Sequence, residues 1–98
     1  MTTLIANLEK MLGGPRDGAL LRYSLGNEWM KAGNPAVAAS CFRQAVERDA
    51  QYSAAWKMLG KALAASGEMQ AAVDAYEHGL LVASGKGDIQ RSQDKGKA

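Results

Sequence analysis

The side chains best suited to covalent chemistry in this 98-residue sequence are its single histidine and its single cysteine. Cys41 and His78 are 37 positions apart, so a pair in which the imidazole activates the thiol would have to form across space. Cys41 adjoins Phe42 and has the context of a small buried apolar side chain, and His78 is expected on a helix surface. One histidine and one cysteine also fall short of a zinc site. We therefore predict no catalytic residue, no metal and no cofactor, and a chain that is not an enzyme.

Two glycine-rich stretches, Gly13-Gly14-Pro15 and Gly85-Lys86-Gly87, could be mistaken for phosphate-binding loops. Neither follows a predicted strand, and neither has the G-x4-G-K-[ST] spacing. We interpret both as helix terminators. Trp29 and Trp56 are expected in the core, since base stacking needs exposed aromatic side chains along a basic groove.

Charge gives little support for nucleic acid binding. The chain has 12 Lys plus Arg and 10 Asp plus Glu, for a formal charge of +2. Residues 1–85 carry eight of each sign, so the excess lies entirely after Gly85. We predict no nucleic acid partner.

The sequence favours a reducing compartment. One cysteine cannot form an intramolecular disulfide, and the N-terminal residues have no basic opening and no unbroken apolar stretch. No apolar run approaches the roughly 20 residues that a membrane-spanning helix needs. We expect a soluble, cytoplasmic protein without membrane contact.

The elements that must carry these residues are helices. Apolar residues recur three and four positions apart, and no segment alternates with period two, which predicts an all-α chain. Thr2 or Thr3 begins the first helix, which the glycines from Gly13 end, and Asp17 is the expected N-cap of the second. The expected further ranges are about 18–32, about 35–49 after an Asn34 cap, about 53–66, and a fifth helix from near Glu68.

A shift of 34 residues superposes one half of the chain on the other. The matched positions are Leu25-Gly26 with Leu59-Gly60, Gly33 with Gly67, Ala38 with Ala72, Phe42 with Tyr76, and Ala45 with Gly79. Small residues at these sites let two helix backbones approach, and large ones fill the gaps beside them. The period therefore predicts two helical hairpins.

The second copy, Trp56-x2-Leu59-Gly60-x2-Leu63 followed by Gly67, Ala72 and Tyr76, resembles a tetratricopeptide repeat. The first copy is Arg22-x2-Leu25-Gly26-x2-Trp29, then Gly33, Ala38, Phe42 and Ala45. The resemblance covers residues 19–86 and implies a short right-handed α-α superhelix. It divides a domain of residues 1–86 into a half-repeat helix at 1–14 and repeats at 19–52 and 53–86. Residues 87–98 are expected to form a polar, mobile tail.

The resemblance also implies a function, because the first helix of each hairpin in this family lines a concave groove that takes extended peptides. Carried over by position, the groove residues are Tyr23, Asn27, Met30 and Lys31 of one helix and Lys57, Lys61 and Ala64 of the other. Asn27 matches the first asparagine of the family's carboxylate clamps. We predict a protein or peptide partner of unknown identity, held in the groove by an acidic or carboxylate-ended segment.

Two alternatives remain open at this stage. Leu80, Leu81 and Val82 lie on the last helix, with no convincing capping helix after them. This end could pair with a second copy in a homodimer. The chain could equally be the capping fragment of a longer repeat protein or a larger assembly.

Overall fold

The computed structural model describes residues 2–85, which form five α-helices and no strand. They are α1 (Thr2–Glu9), α2 (Ala19–Lys31), α3 (Pro35–Arg48), α4 (Ser53–Ala65) and α5 (Met69–Ala83). The predicted all-α class is confirmed. The predicted tail at 87–98 lies outside the described residues.

Each helix packs mainly against its neighbours in sequence. The contacts run from α1 to α2, α2 to α3, α3 to α4 and α4 to α5, and α2 also contacts α4 directly. The chain is thus a solenoid of helical hairpins, in which α2–α3 and α4–α5 are the two hairpins.

Local signals set the helix ends at equivalent places in both hairpins. Gly33 and Gly67 follow α2 and α4 with φ values of 80° and 86°, the left-handed conformation that glycine adopts without steric cost. The next residue in each case, Asn34 or Glu68, donates its N–H to a carbonyl five residues back, at 2.9 Å. Asn34 also accepts a bond from the N–H of Val37 at 3.4 Å, so the predicted cap of α3 is present.

The start of α2 differs from the prediction. Gly18, not Asp17, occupies the N-cap position. The Asp17 carboxylate instead accepts bonds from Arg22 Nε at 2.9 Å, Arg22 Nη2 at 2.8 Å and the N–H of Gly13 at 2.8 Å. A guanidinium offers two charge-assisted donors in fixed geometry, which outweigh one capping bond to the helix. Asp17 therefore joins the preceding turn to α2.

In each hairpin, a glycine of the first helix lies directly under an aromatic ring of the second helix. A β-carbon on Gly26 would lie 2.6 Å from Phe42 Cε1, and one on Gly60 would lie 2.9 Å from the Tyr76 ring. Both distances are too short for a real side chain, so each ring rests directly on the facing helix backbone. The predicted pairing of small with large residues is found in both hairpins.

Two buried clusters fill the solenoid. The main cluster joins α3, α4 and α5 around Phe42 and Leu63. The smaller cluster joins Ile5 of α1 to Leu21 and Leu25 of α2, with Leu8 and Leu12 packed against it. Residues Leu4 to Leu12 thus cover the free side of the first hairpin, although α1 itself ends at Glu9 rather than near Leu12.

Candidate protein-binding groove

The first helices of the two hairpins, α2 and α4, contact each other, and each carries part of the surface that the resemblance predicts to bind a partner. We call this surface the groove face. It comprises one residue that was not predicted, Leu20, and the seven that were predicted from the sequence. The seven are Tyr23, Asn27, Met30, Lys31, Lys57, Lys61 and Ala64. The surroundings of these eight side chains differ greatly.

Lys57 and Lys61 are exposed and lie one helical turn apart on α4. Within residues 4–85, neither amine is within ion-pair distance of a carboxylate. Lys57 Cγ would be only 3.5 Å from a β-carbon on Gly79, so the lysine stem runs beside the backbone of α5 while its charged end reaches solvent. The two lysines form a local positive site.

Lys31 differs from these two lysines because it pairs with Glu28. Its Nζ lies 3.2 Å from Glu28 Oε2, in an i, i+3 pair on α2. An exposed pair of this kind contributes little to stability, but it offsets the charge that Lys31 presents to a ligand. The positive charge of the groove face is therefore concentrated on α4.

Tyr23, Met30 and Ala64 are half-buried and pack against the main core cluster. The Tyr23 ring centroid is 5.8 Å from that of Phe42 and 4.9 Å from that of Tyr52. Burial raises the pKa of the neighbouring Tyr52 hydroxyl, since the ionised form is poorly solvated there. These side chains form the floor of the groove face and have a structural role of their own.

Asn27 is half-buried, and its amide forms no hydrogen bond to residues 4–85. It lies four residues after Tyr23 and four before Lys31, on the same side of α2. An amide can both donate to and accept from the backbone of an extended peptide.

Leu20 is a residue that the sequence argument missed. Its side chain is 68% exposed, seven positions before Asn27 and eleven before Lys31 on the same side of α2. That spacing could have identified it. An exposed leucine at the edge of a polar surface offers an apolar contact to a ligand.

The residues considered for covalent or metal chemistry do not converge on a site. Cys41 is half-buried, and burial raises the pKa of its thiol, which disfavours the nucleophilic thiolate. His78 stacks on Trp56 with ring centroids 3.9 Å apart. No group of three or more potential metal ligands occurs among the residues that the structure describes.

The glycine stretch at 13–15 is occupied by the chain itself, because the N–H of Gly13 donates to the Asp17 carboxylate. That carboxylate has a pKa well below its usual range, chiefly because of Arg22 and then of Gly13. A backbone donor already bound to an anionic side chain is a poor phosphate cradle.

Trp29 and Trp56 are half-buried and pack against the main cluster. Trp56 Nε1 donates to the Ala50 carbonyl at 2.9 Å. Trp56 also lines an open cavity of about 270 Å³ with Leu59 and Leu63, where Arg43, Asp74 and His78 supply the polar lining. Both tryptophans serve packing, as predicted.

The outer side of α5 carries exposed apolar residues that form one row. We call this row, Met69, Val73, Tyr76 and Leu80, the α5 stripe; all four are exposed. Of the three residues proposed from the sequence for self-association, Leu80 and Leu81 are exposed and Val82 is half-buried. The stripe therefore runs along the whole helix rather than around its C-terminal end.

No helix in the described part of the chain has the length and apolar character needed to span a membrane.

Comparison with known proteins agrees with this arrangement. A sequence model described as tetratricopeptide repeat matches residues 23–88. Over 91 residues the chain is 44% identical to TPR repeat-containing protein PA0015 of Pseudomonas aeruginosa, and the match covers 93% of this chain and 87% of the relative. It is also 38% identical over 60 residues, 61% of its length, to human tetratricopeptide repeat protein 7A, but spans only 7% of that protein.

Proposed function

Because the chain belongs to the tetratricopeptide repeat family, whose members are protein–protein interaction modules, we propose that it binds an extended segment of a partner protein along the groove face. The segment is acidic or ends in a carboxylate. The chain acts in this proposal as a non-enzymatic adaptor.

The observation that carries the proposal is the state of the two α4 lysines. Lys57 and Lys61 are exposed, one turn apart, and without an acidic partner among residues 4–85. Residues 1–85 are neutral overall, so a local pair of unopposed amines favours an anionic ligand over a cationic one.

The other residues of the groove face supply complementary contacts. Asn27 bonds to the ligand backbone, as its unpartnered amide allows, and Leu20 contacts an apolar side chain at one end. Tyr23, Met30 and Ala64 form the floor. Lys31 adds a third amine that must be shared with Glu28.

A charge reversal tests the proposal. Exposed ion pairs are each worth about 0.2–1 kcal/mol, and Lys57→Glu/Lys61→Glu both removes two attractions and adds two repulsions. We expect the double variant to bind an acidic peptide at least about tenfold more weakly. The measurement is fluorescence anisotropy with labelled peptides of acidic, neutral and basic sequence.

The matched control is Lys10→Glu/Arg16→Glu, which changes the net charge equally at exposed positions away from α4. It should bind like the unaltered protein. Equal binding of the acidic peptide by both double variants and the unaltered chain would refute the proposal, and so would a preference for the basic peptide.

A homodimer is the second candidate, and the exposed α5 stripe is the observation that favours it. The homodimer is independent of the groove face, since the α5 stripe lies on α5 and the groove face lies on α2 and α4.

A further inference from the structure

The α5 stripe corresponds, residue for residue, to a surface that is buried in the first hairpin. Ala39, Phe42 and Val46 of α3 stand 34 positions before Val73, Tyr76 and Leu80. In α3 these positions belong to the same buried cluster as Ala55, Leu59 and Ala62 of α4. The exposed fraction at the last pair rises from 6% for Val46 to 67% for Leu80.

The structure therefore identifies a surface shaped to receive a helix, and α4 shows how a helix covers it. We infer that a second copy of this chain covers the α5 stripe. The two α5 helices lie antiparallel, about a two-fold axis that passes between Asp74 and Ala75. This dimer goes beyond the groove binding proposed above and does not depend on it.

The spacing of the stripe supports a helix–helix seam. Its residues follow one another at intervals of four, three and four, which is the spacing of apolar positions in a coiled coil. In the antiparallel register, Met69 meets Leu80 of the second copy and Val73 meets its Tyr76. Each contact then joins a larger side chain to a smaller or more flexible one. The two-fold axis repeats both contacts, so all four stripe residues of each copy take part.

The polar residues beside the stripe favour this orientation. Gln70 and Glu77 lie along the same edge of the stripe, and both are exposed. An antiparallel pair places Glu77 opposite Gln70 of the second copy, where a carboxylate can accept a bond from the amide. In a parallel pair, the edge that carries Glu77 would instead face the other edge of the second copy, where Ala72 and Gly79 are buried against α4 and offer no polar partner.

Residues 86–98 are a poor alternative occupant of the α5 stripe. Residues 86–98 contain one large apolar residue, Ile89, against four exposed side chains in the stripe. They cannot supply the apolar face that α4 supplies to α3. A helix of 15 residues is about 22 Å long, so the interface lies near the small end of specific ones and we expect a reversible dimer in the micromolar range.

Sedimentation velocity on the full chain, from about 1 to about 300 µM, tests the dimer. Leu80→Glu should weaken dimerisation about 100-fold or more, because the change occurs in both copies and buries two charges. Leu20→Glu is the matched control, since Leu20 on α2 is equally exposed at 68%. It should leave the dimer unchanged. A chain that stays monomeric throughout, or that loses the dimer equally in both variants, overturns the inference.

Crosslinking tests the orientation. In a Cys41→Ala background, two Val73→Cys sites would be offset by about 4–5 Å along the helix axis, and two Leu80→Cys sites by about 16 Å. A reagent with two thiol-reactive groups and a reach of about 8 Å should link the first variant and not the second. Efficient linking of Leu80→Cys would contradict the antiparallel arrangement.

The same experiments test whether residues 86–98 compete for the α5 stripe and whether groove binding is separate from dimerisation. Ile89→Ser should leave the dimerisation constant within about twofold; a stronger dimer in this variant would mean that the tail competes for the stripe and would overturn the choice of occupant. The acidic peptide should bind Leu80→Glu as it binds the unaltered chain, so failure of the groove proposal and failure of the dimer give different results.

Discussion

The two hairpins contain the same contact in different surroundings. Phe42 rests on Gly26 and Tyr76 rests on Gly60, 34 positions later. Phe42 is 0% exposed, whereas Tyr76 is 40% exposed. The difference arises because α3 packs against both α2 and α4, whereas α5 packs against α4 alone among the helices of residues 2–85. The burial of the aromatic ring in one hairpin thus depends on the next hairpin. This is expected for a solenoid, whose stability is approximately the sum of the stability of each repeat and the interface energy between adjacent repeats.

A second pair of equivalent positions differs in chemistry rather than burial. Arg22 donates to Gln44 Oε1 at 2.6 Å, and 34 positions later Trp56 stacks on His78 with centroids 3.9 Å apart. A polar bond in one hairpin is replaced by an aromatic stack in the other. The same backbone geometry therefore accepts two kinds of side-chain pairing.

The largest expected contrast comes from removing the two rings. Phe42→Ala should lower the free energy of unfolding by about 3–5 kcal/mol, since it empties a closed core site. Tyr76→Ala should cost only about 1–2 kcal/mol because much of its ring is already in water. Urea denaturation followed by circular dichroism, at about 1 µM protein to keep a weak dimer dissociated, measures both. Equal losses would mean that Tyr76 is covered in solution.

A smaller contrast comes from adding a methyl group beneath each ring. Gly26→Ala places a β-carbon 2.6–2.7 Å from three atoms of the enclosed Phe42 ring, whereas Gly60→Ala places one 2.9–3.0 Å from the more exposed Tyr76. Alanine gains about 1 kcal/mol in helix propensity, against an overpacking cost of about 1–3 kcal/mol.

We therefore expect Gly26→Ala to destabilise by about 1–2 kcal/mol and Gly60→Ala to be nearly neutral, because the Tyr76 ring can move outward. Thermal melts of both variants against the unaltered chain give the ranking. The reverse order would show that Tyr76 is held more rigidly than Phe42.

The smallest contrast concerns the ion pair at the start of the first hairpin, which has no counterpart at the start of α4. Arg22 holds the pKa of Asp17 well below the ordinary 3.8. A lowered folded-state pKa stabilises the fold above about pH 3.8, and this contribution is lost as the pH falls toward the folded-state value. Asp17→Asn should therefore melt at a lower temperature than the unaltered chain at neutral pH.

The difference between the two melting temperatures should shrink steadily below pH 3.8. Glu77→Gln serves as the control, since Glu77 is an exposed carboxylate of α5 without an ion pair to residues 4–85. A difference between Asp17→Asn and the unaltered chain that stays constant down to about pH 2 would contradict the assigned cause.

The helix ends could be predicted where their causes are local. Gly33, Gly67 and the pair Asn34-Pro35 act through their own backbone conformation and nearest hydrogen bonds, so sequence alone predicts them. The packing of Gly26 and Gly60 could also be predicted, because the 34-residue period doubles the signal.

Features that depend on which of several neighbouring side chains becomes the partner could not be predicted in the same way. Asp17 was expected to cap α2 but is bound by Arg22 and by the turn at Gly13. Lys31 was predicted to line the groove, and the structure adds that it pairs with Glu28. In each case several donors or acceptors lie near the side chain, and the three-dimensional geometry decides which of them it binds. Sequence spacing alone does not determine that choice.

The extent of the α5 stripe was missed for another reason. Met69, Val73 and Tyr76 have the periodicity of core residues, and their exposure follows only from the absence of a covering helix in residues 2–85. The signal is nevertheless in the sequence, because the 34-residue shift pairs Val73 and Tyr76 with Ala39 and Phe42 of the preceding hairpin.

The matching turns at Gly33 and Gly67 also make the chain divisible. Because both turns have nearly the same φ and the same hydrogen bonds, residues 34–67 form an interchangeable module. A duplicate joined after Gly67 would recreate existing junctions at both of its ends. At the new junction α4 would face residues of α3 in place of those of α5. Gln44 would replace His78 beside Trp56, and Ala45 would replace Gly79, where a β-carbon would lie 3.0 Å from Trp56 Cβ. Copy number can thus set the length of the solenoid, and the extra methyl group at this position is one obstacle to growth by duplication.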